Sequence, residues 1–284
     1  MSTASQYRWV IVHGPSPFLT SVGHLRHKAF AEGGRYLEPS RFDVPFVLDG
    51  RDAMKSTTHC IVFLDEEPVA AARLQTPDIA LAAAHGTALG FGLESDVELA
   101  GLEPRAGFAE VSRVCVLPSA QRTTEAFPRL VAALVAASRV LGIREWCAAA
   151  NCETDSPEEA ESFHRLAQQL GRVHASVKAS ARPGRPPPEK PSFRFFEQGP
   201  PREGAGRASL PPVLGMYLTK LGARSIGRPF YCSQFRRYAM PIAVSVEELS
   251  MSNSTYSRWL RRLDISLPDN DNDNDGAGAP RSAA

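Results

Sequence analysis

The sequence predicts an α/β protein built on one mixed sheet that is covered by helices. Two observations carry this prediction: segments of strand and helix character alternate along the chain, and one early pair of strands is joined as a hairpin. Such an order is typical of a mixed sheet with helices packed against it. The chain has 284 residues, 43% of them hydrophobic and 22% charged, so it can bury a sizeable core.

The first half of the chain supplies the hairpin. A β-prone run at 7–12 precedes a helical pattern at 16–31, which ends at two glycines. The apolar runs 60–64 and 69–74 flank a turn of the sequence Asp-Glu-Glu-Pro, which is a hairpin signature. Residues 111–117 are β-branched and apolar, so they predict a further strand that ends at a proline.

The second half alternates helices and strands. Apolar residues recur at helical spacing from Phe127 to Leu141, and Gly142 marks the end of that helix. The same reasoning predicts strands at 145–150 and 238–246 and helices at 157–170, 212–221 and 247–263.

Two segments differ from the rest in composition. Residues 178–212 contain nine prolines, which are incompatible with a helix or a strand ladder, so we expect an extended insertion that contributes little to the core. Residues 266–284 form an Asp/Asn-rich and Gly/Ala-rich end, typical of a disordered tail. The predicted organisation is therefore a domain at 1–265 that carries the insertion, followed by the tail.

Charge and cysteine usage exclude several functions. Lys and Arg total 32 against 31 Asp and Glu, so no overall field attracts nucleic acid or an acidic membrane. No apolar stretch reaches the ~20 residues of a membrane span, and no secretory signal is visible. The five cysteines lack CxxC spacing, and the histidines show no metal-ligand pattern. We expect a cytoplasmic protein without a metal.

A series of short motifs follows the predicted elements in chain order. They are Arg26, Phe30 and Tyr36; Glu38-Pro-Ser-Arg-Phe-Asp43; Arg73; Glu110-Val-Ser112-Arg113; and the late segments 216–222 and 244–249. Together these motifs resemble those of the acyl-homoserine-lactone synthases, and of their siblings the N-acyl amino acid synthases, within the GNAT-type acyltransferases. Tyr36 stands where that family usually has Trp, and Ser40 where it has the middle Asp of its acidic motif.

The resemblance implies a GNAT-type fold and the transfer of a fatty acyl group from a thioester to the α-amine of an amino-acid-type substrate. S-adenosylmethionine is the first expected acceptor, which would give a lactone signal of quorum sensing; a free amino acid is the alternative. No permanent cofactor is implied. Glu110, Ser112 and Arg113 are then catalytic candidates, and the candidates for substrate binding are Arg26, Phe30, Tyr36, Glu38, Asp43 and Arg73.

The residues themselves leave alternatives open. Glu110 could accept the proton of the amine, or it could merely pair with Arg73 or Arg113. The charged residues around the acceptor could equally be solvated ion pairs, and Phe30 and Tyr36 could be core residues. Cys115 reads as a buried, inert thiol rather than a nucleophile. Met216 and its helix form either core or the lining of an acyl pocket.

The donor is predicted from a missing loop and a basic run. The glycine-rich pyrophosphate loop of GNAT enzymes has no counterpart at 121–126, which favours an acyl carrier protein over CoA as the donor. Basic residues could steer an acidic carrier protein, although a solvated basic face is the alternative reading. The candidate docking residues are Lys220, Arg224, Arg228, Arg236 and Arg237. A GNAT-shaped binding module without catalysis is the remaining alternative.

Overall fold

A computed structural model describes residues 6–33, 37, 44–102, 107–121, 125–184, 189, 192–195 and 210–267. Ten strands and eight α-helices lie within these ranges. The strands are β1 (Tyr7–His13), β2 (Thr57–Leu64), β3 (Glu67–Gln75), β4 (Val97–Ala100), β5 (Phe108–Val116), β6 (Glu145–Asn151), β7 (Lys178–Ala181), β8 (Arg224–Ser225), β9 (Phe230–Cys232) and β10 (Arg237–Ser245).

Most helices follow the predicted positions. A π-helical turn, Lys28–Gly33, extends the first helix, and a 3₁₀ turn, Leu93–Ser95, precedes β4. None of the helices in the described ranges is long and apolar enough to cross a membrane. The α-helices are α1 (Phe18–His27), α2 (Ile79–His85), α3 (Pro118–Gln121), α4 (Ala126–Val140), α5 (Pro157–Gln169), α6 (Pro212–Thr219), α7 (Val246–Ser250) and α8 (Thr255–Arg262).

The main sheet is mixed, which confirms the predicted fold class. Its strand order is β1-β2-β3-β5-β6-β10-β8, and β9 also pairs with β10. All neighbours are antiparallel except β5 and β6, which run parallel. Strands β4 and β7 form a separate two-stranded sheet.

Alternate residues of the sheet face two hydrophobic clusters. The larger cluster contains the apolar face of α4, including Leu130 and Leu134, together with β2, β3 and much of β6 and β10. The smaller cluster contains Phe108, Cys147 and Phe230. The centre of the sheet is therefore buried on both sides, so the polar side chains on β3 and β5 need internal partners.

Two predicted elements are wrong in detail. Residues 178–181 of the proline-rich segment form β7, because its prolines begin only at Pro183 and leave four residues free to pair with β4. The predicted helix at 247–263 is two helices. The Ser254 side chain accepts the backbone N–H of Ser257 at 2.9 Å and so starts α8 anew.

Candidate active site

Glu110 lies at the point where β5 and β6 separate. The two strands pair only from Phe108 to Glu110 on β5, and Glu110 faces Cys147 there. Beyond this point the strands diverge, and a cavity of about 840 Å³ occupies the gap. The side chain of Glu110 is 4% exposed and lines that cavity.

The Glu110 carboxylate is held by backbone N–H groups. Its Oε2 accepts hydrogen bonds from Gly92 and from Leu93, the second at 3.2 Å. A Cβ on Gly92 would lie 3.2 Å from Oε1 of Glu110, so glycine leaves room for the carboxylate. Glu110 forms no salt bridge with any residue in the described ranges. The hydrogen-bond partners of Glu110 are thus the backbone N–H groups of Gly92 and Leu93 rather than Arg73 or Arg113.

A β-bulge on β5 presents Arg113 to the cavity. Ala71 of β3 faces Cys115, and Arg73 faces Ser112, so β5 carries one extra residue between these pairs. Arg113 lies in this bulge and has a left-handed φ of 55°. This conformation is uncommon for a residue with a Cβ and is held here by its surroundings.

Asp49 joins the two arginines beside Glu110. Its Oδ1 accepts from Arg73 Nη1 at 2.7 Å, and its Oδ2 accepts from Arg113 Nη2 at 2.8 Å. Burial opposes the ionisation of Asp49, but the two guanidinium groups outweigh it and lower its pKa to about 2. Arg73 also donates from Nε to Ser112 Oγ at 3.1 Å, which fixes both candidate residues.

Arg26, predicted to bind substrate, is not among the residues that line the cavity. Its side chain is 0% exposed and donates from Nη1 to both carboxylate oxygens of Asp52 at 2.9 Å. Asp52 in turn accepts from Arg73 at 3.2 Å, and its backbone oxygen lies 2.9 Å from His59 Nε2. Arg26 and Arg73 thus share Asp52 as an acceptor. Because the guanidinium of Arg26 is enclosed by the core, Arg26 can help to position Arg73 through Asp52 but cannot itself reach the cavity.

Aromatic residues flank the charged group. Phe30, on the π-helical turn, lines the cavity and makes an edge contact with Phe235 at 5.7 Å between ring centroids. The Arg113 guanidinium carbon lies 5.8 Å from the centroid of Phe235. The predicted residues Tyr36, Glu38 and Asp43 lie outside the described residues.

The remaining cavity wall is apolar. Phe127 contacts Tyr217 at 6.3 Å and Trp259 at 6.2 Å between ring centroids, and Val213 and Met216 lie in the same wall. Cys115 also lines the cavity, but burial raises the pKa of its thiol to about 11, as expected for an unreactive cysteine.

The five predicted docking residues are not equivalent. Arg224 donates to both carboxylate oxygens of Glu248 at 2.8 and 2.9 Å, and Arg228 pairs with Glu161 at 2.9 Å. Lys220 and Arg236 are exposed. Arg237 lines the cavity, and its guanidinium carbon lies 3.8 Å from the ring centroid of Phe193.

Sequence reasoning missed Asp49, Arg51, Asp52 and Phe235. The first three belong to the segment Asp49-Gly-Arg-Asp52, where two acids and an arginine follow an apolar stretch. That pattern could have indicated partners for Arg26 and Arg73. Phe235 lies in the turn between β9 and β10, and no local signal distinguishes it.

Comparisons with known proteins agree with this architecture. Residues 25–130 match the acetyltransferase (GNAT) domain family. The chain is similar to the solved structure of BjaI, a CoA-dependent acyl-homoserine-lactone synthase with S-adenosylmethionine and isopentyl-CoA, at 13% identity and a TM-score of 0.49, over 93% of this chain and 92% of that one.

Two further solved structures are similar. TofI, in a ternary complex with an inhibitor and MTA, shares 16% identity at a TM-score of 0.46, over 92% of this chain and 98% of that one. FeeM, an N-acyl amino acid synthase from uncultured soil microbes, shares 12% identity at a TM-score of 0.43, over 86% of this chain and 93% of that one. No curated protein matches the chain. The fold is of the GNAT type, on the family match at residues 25–130.

Proposed function

We propose that the protein is an N-acyltransferase that moves a fatty acyl group from a thioester to the α-amine of an amino-acid-type acceptor. The observation that supports this most directly is the position of Glu110. A buried carboxylate, held by two backbone N–H groups, lines the cavity where two parallel strands separate.

The chemistry needs a proton acceptor and an oriented amine, because a thioester is already activated. The acceptor amine loses a proton to Glu110, and its nitrogen attacks the thioester carbonyl carbon. The C–N bond forms, the tetrahedral intermediate collapses, and the C–S bond breaks. The thiolate leaves and takes up a proton, which Glu110 can return. Past Glu110, β5 has no pairing with β6, so backbone N–H groups there can stabilise the oxyanion.

The gap also suits the donor arm. Phosphopantetheine contains amide groups, and an unpaired strand edge offers N–H and C=O groups of complementary spacing. The apolar wall around Phe127, Met216 and Tyr217 would then hold the acyl chain. An acyl carrier protein is the proposed donor, since the sequence at 121–126 lacks the glycines of a pyrophosphate loop; acyl-CoA is the alternative.

S-adenosylmethionine is the first proposed acceptor, and the product would be an N-acyl homoserine lactone. The aromatic faces of Phe30 and Phe235 beside the charged group suit a sulfonium cation. A free amino acid is the second candidate. It is favoured by the guanidinium of Arg51 at the cavity, which has no ion-pair partner among the described residues and would repel a sulfonium, whereas Arg73 and Arg113 are paired with Asp49.

One assay separates these candidates. Purified protein is incubated with octanoyl-carrier protein or octanoyl-CoA and with S-adenosylmethionine or single amino acids, and thiol release and products are followed. Lactone with release of methylthioadenosine supports the first acceptor, and a stable acyl amino acid supports the second. Absence of amine-dependent thiol release with every pair would contradict the proposal and favour a binding module without catalysis.

A further inference from the structure

Two guanidinium groups at the cavity retain N–H groups without a partner. The Nε of Arg51 and the Nη1 of Arg113 are both buried, and neither makes a hydrogen bond with any atom of the described residues. Both side chains line the cavity. Arg26 also has unpartnered N–H groups, but it does not line the cavity, whereas Arg51 and Arg113 do. An unmade hydrogen bond on a buried charged group costs free energy, so at a cavity wall such an N–H can be satisfied by a ligand that accepts hydrogen bonds.

The backbone of Arg51 is held beside the cavity. Its N–H donates to Asp49 Oδ1 at 2.9 Å, and its carbonyl accepts from Thr57 Oγ1 at 2.8 Å. The neighbouring arginine, Arg73, already donates to Asp49, Asp52 and Ser112. Among the described residues, Arg51 is thus a cavity-lining cation that no ion pair uses.

The position of Gly92 relates Arg51 to Glu110. A Cβ built on Gly92 would lie 3.2 Å from Oε1 of Glu110 and 3.8 Å from Nε of Arg51. Oε1 of Glu110 and Nε of Arg51 are therefore both close to this point. Because the two distances add up to 7.0 Å, the two atoms are at most about 7 Å apart. Because residue 92 is a glycine, no side chain occupies that point.

This spacing fits an α-amino acid. The amine nitrogen and the carboxylate carbon of such a molecule are about 2.5 Å apart, set by two bonds and the angle between them. With a hydrogen bond of about 2.9 Å from the amine and another to a carboxylate oxygen, such a molecule reaches over about 8 Å when extended, so bent contacts at its two ends fit a separation of at most about 7 Å. The amine would face Glu110 and the carboxylate would face Arg51.

We infer that Arg51, assisted by the free Nη1 of Arg113, forms the site for the α-carboxylate of the acceptor. This inference rests on the proposed function, because it assumes that Glu110 receives the amine. Arg51 then selects acceptors that carry a carboxylate next to the amine, whereas simple amines and amino acid amides are disfavoured. Charge-assisted hydrogen bonds of this kind are about twice as strong as neutral ones.

The test compares acceptors with and without the carboxylate. The pairs are S-adenosylmethionine with decarboxylated S-adenosylmethionine, methionine with methioninamide, and tyrosine with tyrosinamide, at saturating octanoyl thioester. For the pair that supports turnover, we expect kcat/KM to favour the carboxylate about 10- to 100-fold in the wild type. In Arg51→Met the preference should fall to within about threefold of unity, through a higher acceptor KM with an unchanged donor KM.

Controls separate this result from a structural effect. Arg51→Lys keeps a cation and should retain part of the preference, which a general loss of structure would not allow. Arg258→Met removes an exposed guanidinium outside the cavity and should leave the preference intact. Transfer by the wild type without preference for the carboxylate would overturn the inference alone. A rise in donor KM on Arg51→Met would assign the site to the donor instead. No transfer to any acceptor would overturn the proposed function itself.

Discussion

The backbone N–H of Phe193 donates a hydrogen bond of 2.8 Å to the carboxylate of Asp155, a residue that is 2% exposed. Ser192 donates to the same carboxylate through its N–H and its hydroxyl. Glu159, which is fully buried, accepts the N–H of Phe195 at 2.8 Å. The proline-rich segment therefore supplies the partners of two buried carboxylates at the start of α5.

This anchoring changes the expected effect of deleting the segment. From the sequence alone, replacing 178–212 by a short Gly/Ser linker should leave the melting temperature within a few degrees. With the anchors removed, Asp155 and Glu159 lose partners at about 1.5–3 kcal/mol each, so we now expect Tm to fall by about 10 °C or more. Replacing only 196–209 should leave Tm nearly unchanged. Calorimetry on both variants decides; equal Tm values would show that the anchors contribute nothing.

Removing the proton acceptor should stop turnover while the fold remains. Glu110→Gln keeps the size and the acceptor oxygen for Gly92 but cannot take up a proton, so kcat should fall by about 10²-fold or more. Glu98→Gln, on an exposed position of β4, is the matched control. Circular dichroism checks that the variant is folded, and single-turnover thiol release measures its loss of activity. Near-normal turnover of the Gln variant at saturating amine would make Glu110 structural.

Asp49 gives a stability signature at acid pH. Because Arg73 and Arg113 lower its pKa from 3.8 to about 2 despite burial, its ionised form stabilises the native state fully above pH 3.8 and less as the pH falls towards 2. The loss is on the order of 1 kcal/mol, since the side chain is one-third exposed and partly screened. Urea unfolding between pH 5 and 2 should show this decrease in the wild type and not in Asp49→Asn. Parallel curves for the two proteins would refute it.

The low pKa of Asp49 also means that this residue does not shape the pH dependence of activity above pH 4. Asp49 stays ionised throughout any assay range above pH 4, so it contributes no limb to the dependence of kcat/KM on pH there. A limb at pH 5–8 should therefore survive in Asp49→Asn, even if its rate is reduced. Its disappearance in that variant would contradict the assignment.

The apolar wall should determine chain length. Phe127 meets Tyr217 and Trp259 at the cavity, and Phe127→Ala enlarges this wall. The ratio of kcat/KM for dodecanoyl over octanoyl donors should rise about tenfold, since burying about two of the four additional methylenes, at about 0.8 kcal/mol each, would supply about that factor. Phe18→Ala, at a partly exposed ring outside the cavity, is the control. An unchanged ratio would place the acyl chain elsewhere.

The basic residues should divide into two groups. Arg236→Glu with Arg237→Glu, beside the cavity, should raise the KM for acyl-carrier protein and flatten its salt dependence while changing kcat little. Arg224→Glu with Arg228→Glu should have a smaller effect, because neither arginine lines the cavity, whereas Arg237 does. Donor kinetics from 50 to 300 mM salt compare the pairs. Identical KM values in all variants would show that these basic residues take no part in binding the donor.

Local pattern predicted most elements but not the charged centre. The hairpin of β2 and β3 follows from alternating apolar runs around a turn, and Glu110 was found from its short motif. Asp49 and Asp52 were missed because their partners are distant in sequence. Arg26 is 26 residues from Asp52 and Arg73 is 24 residues from Asp49, and only the fold brings them together. The proline-rich segment was read from composition alone, which carries no sign of its contacts with Asp155 and Glu159.

The short pairing of β5 with β6 divides the main sheet into two ladders, joined side by side at only three residue pairs. An extended molecule with amide groups that enters the gap would act as a temporary strand and bridge the two ladders. Ligand binding in the gap should then stabilise the sheet. The backbone amides at 112–116 should exchange their hydrogens with solvent more slowly when the gap is filled. Tm should also rise with the concentration of the ligand. The protein would thus complete its sheet only while a thioester arm lies in it, and each release of product would reopen the seam.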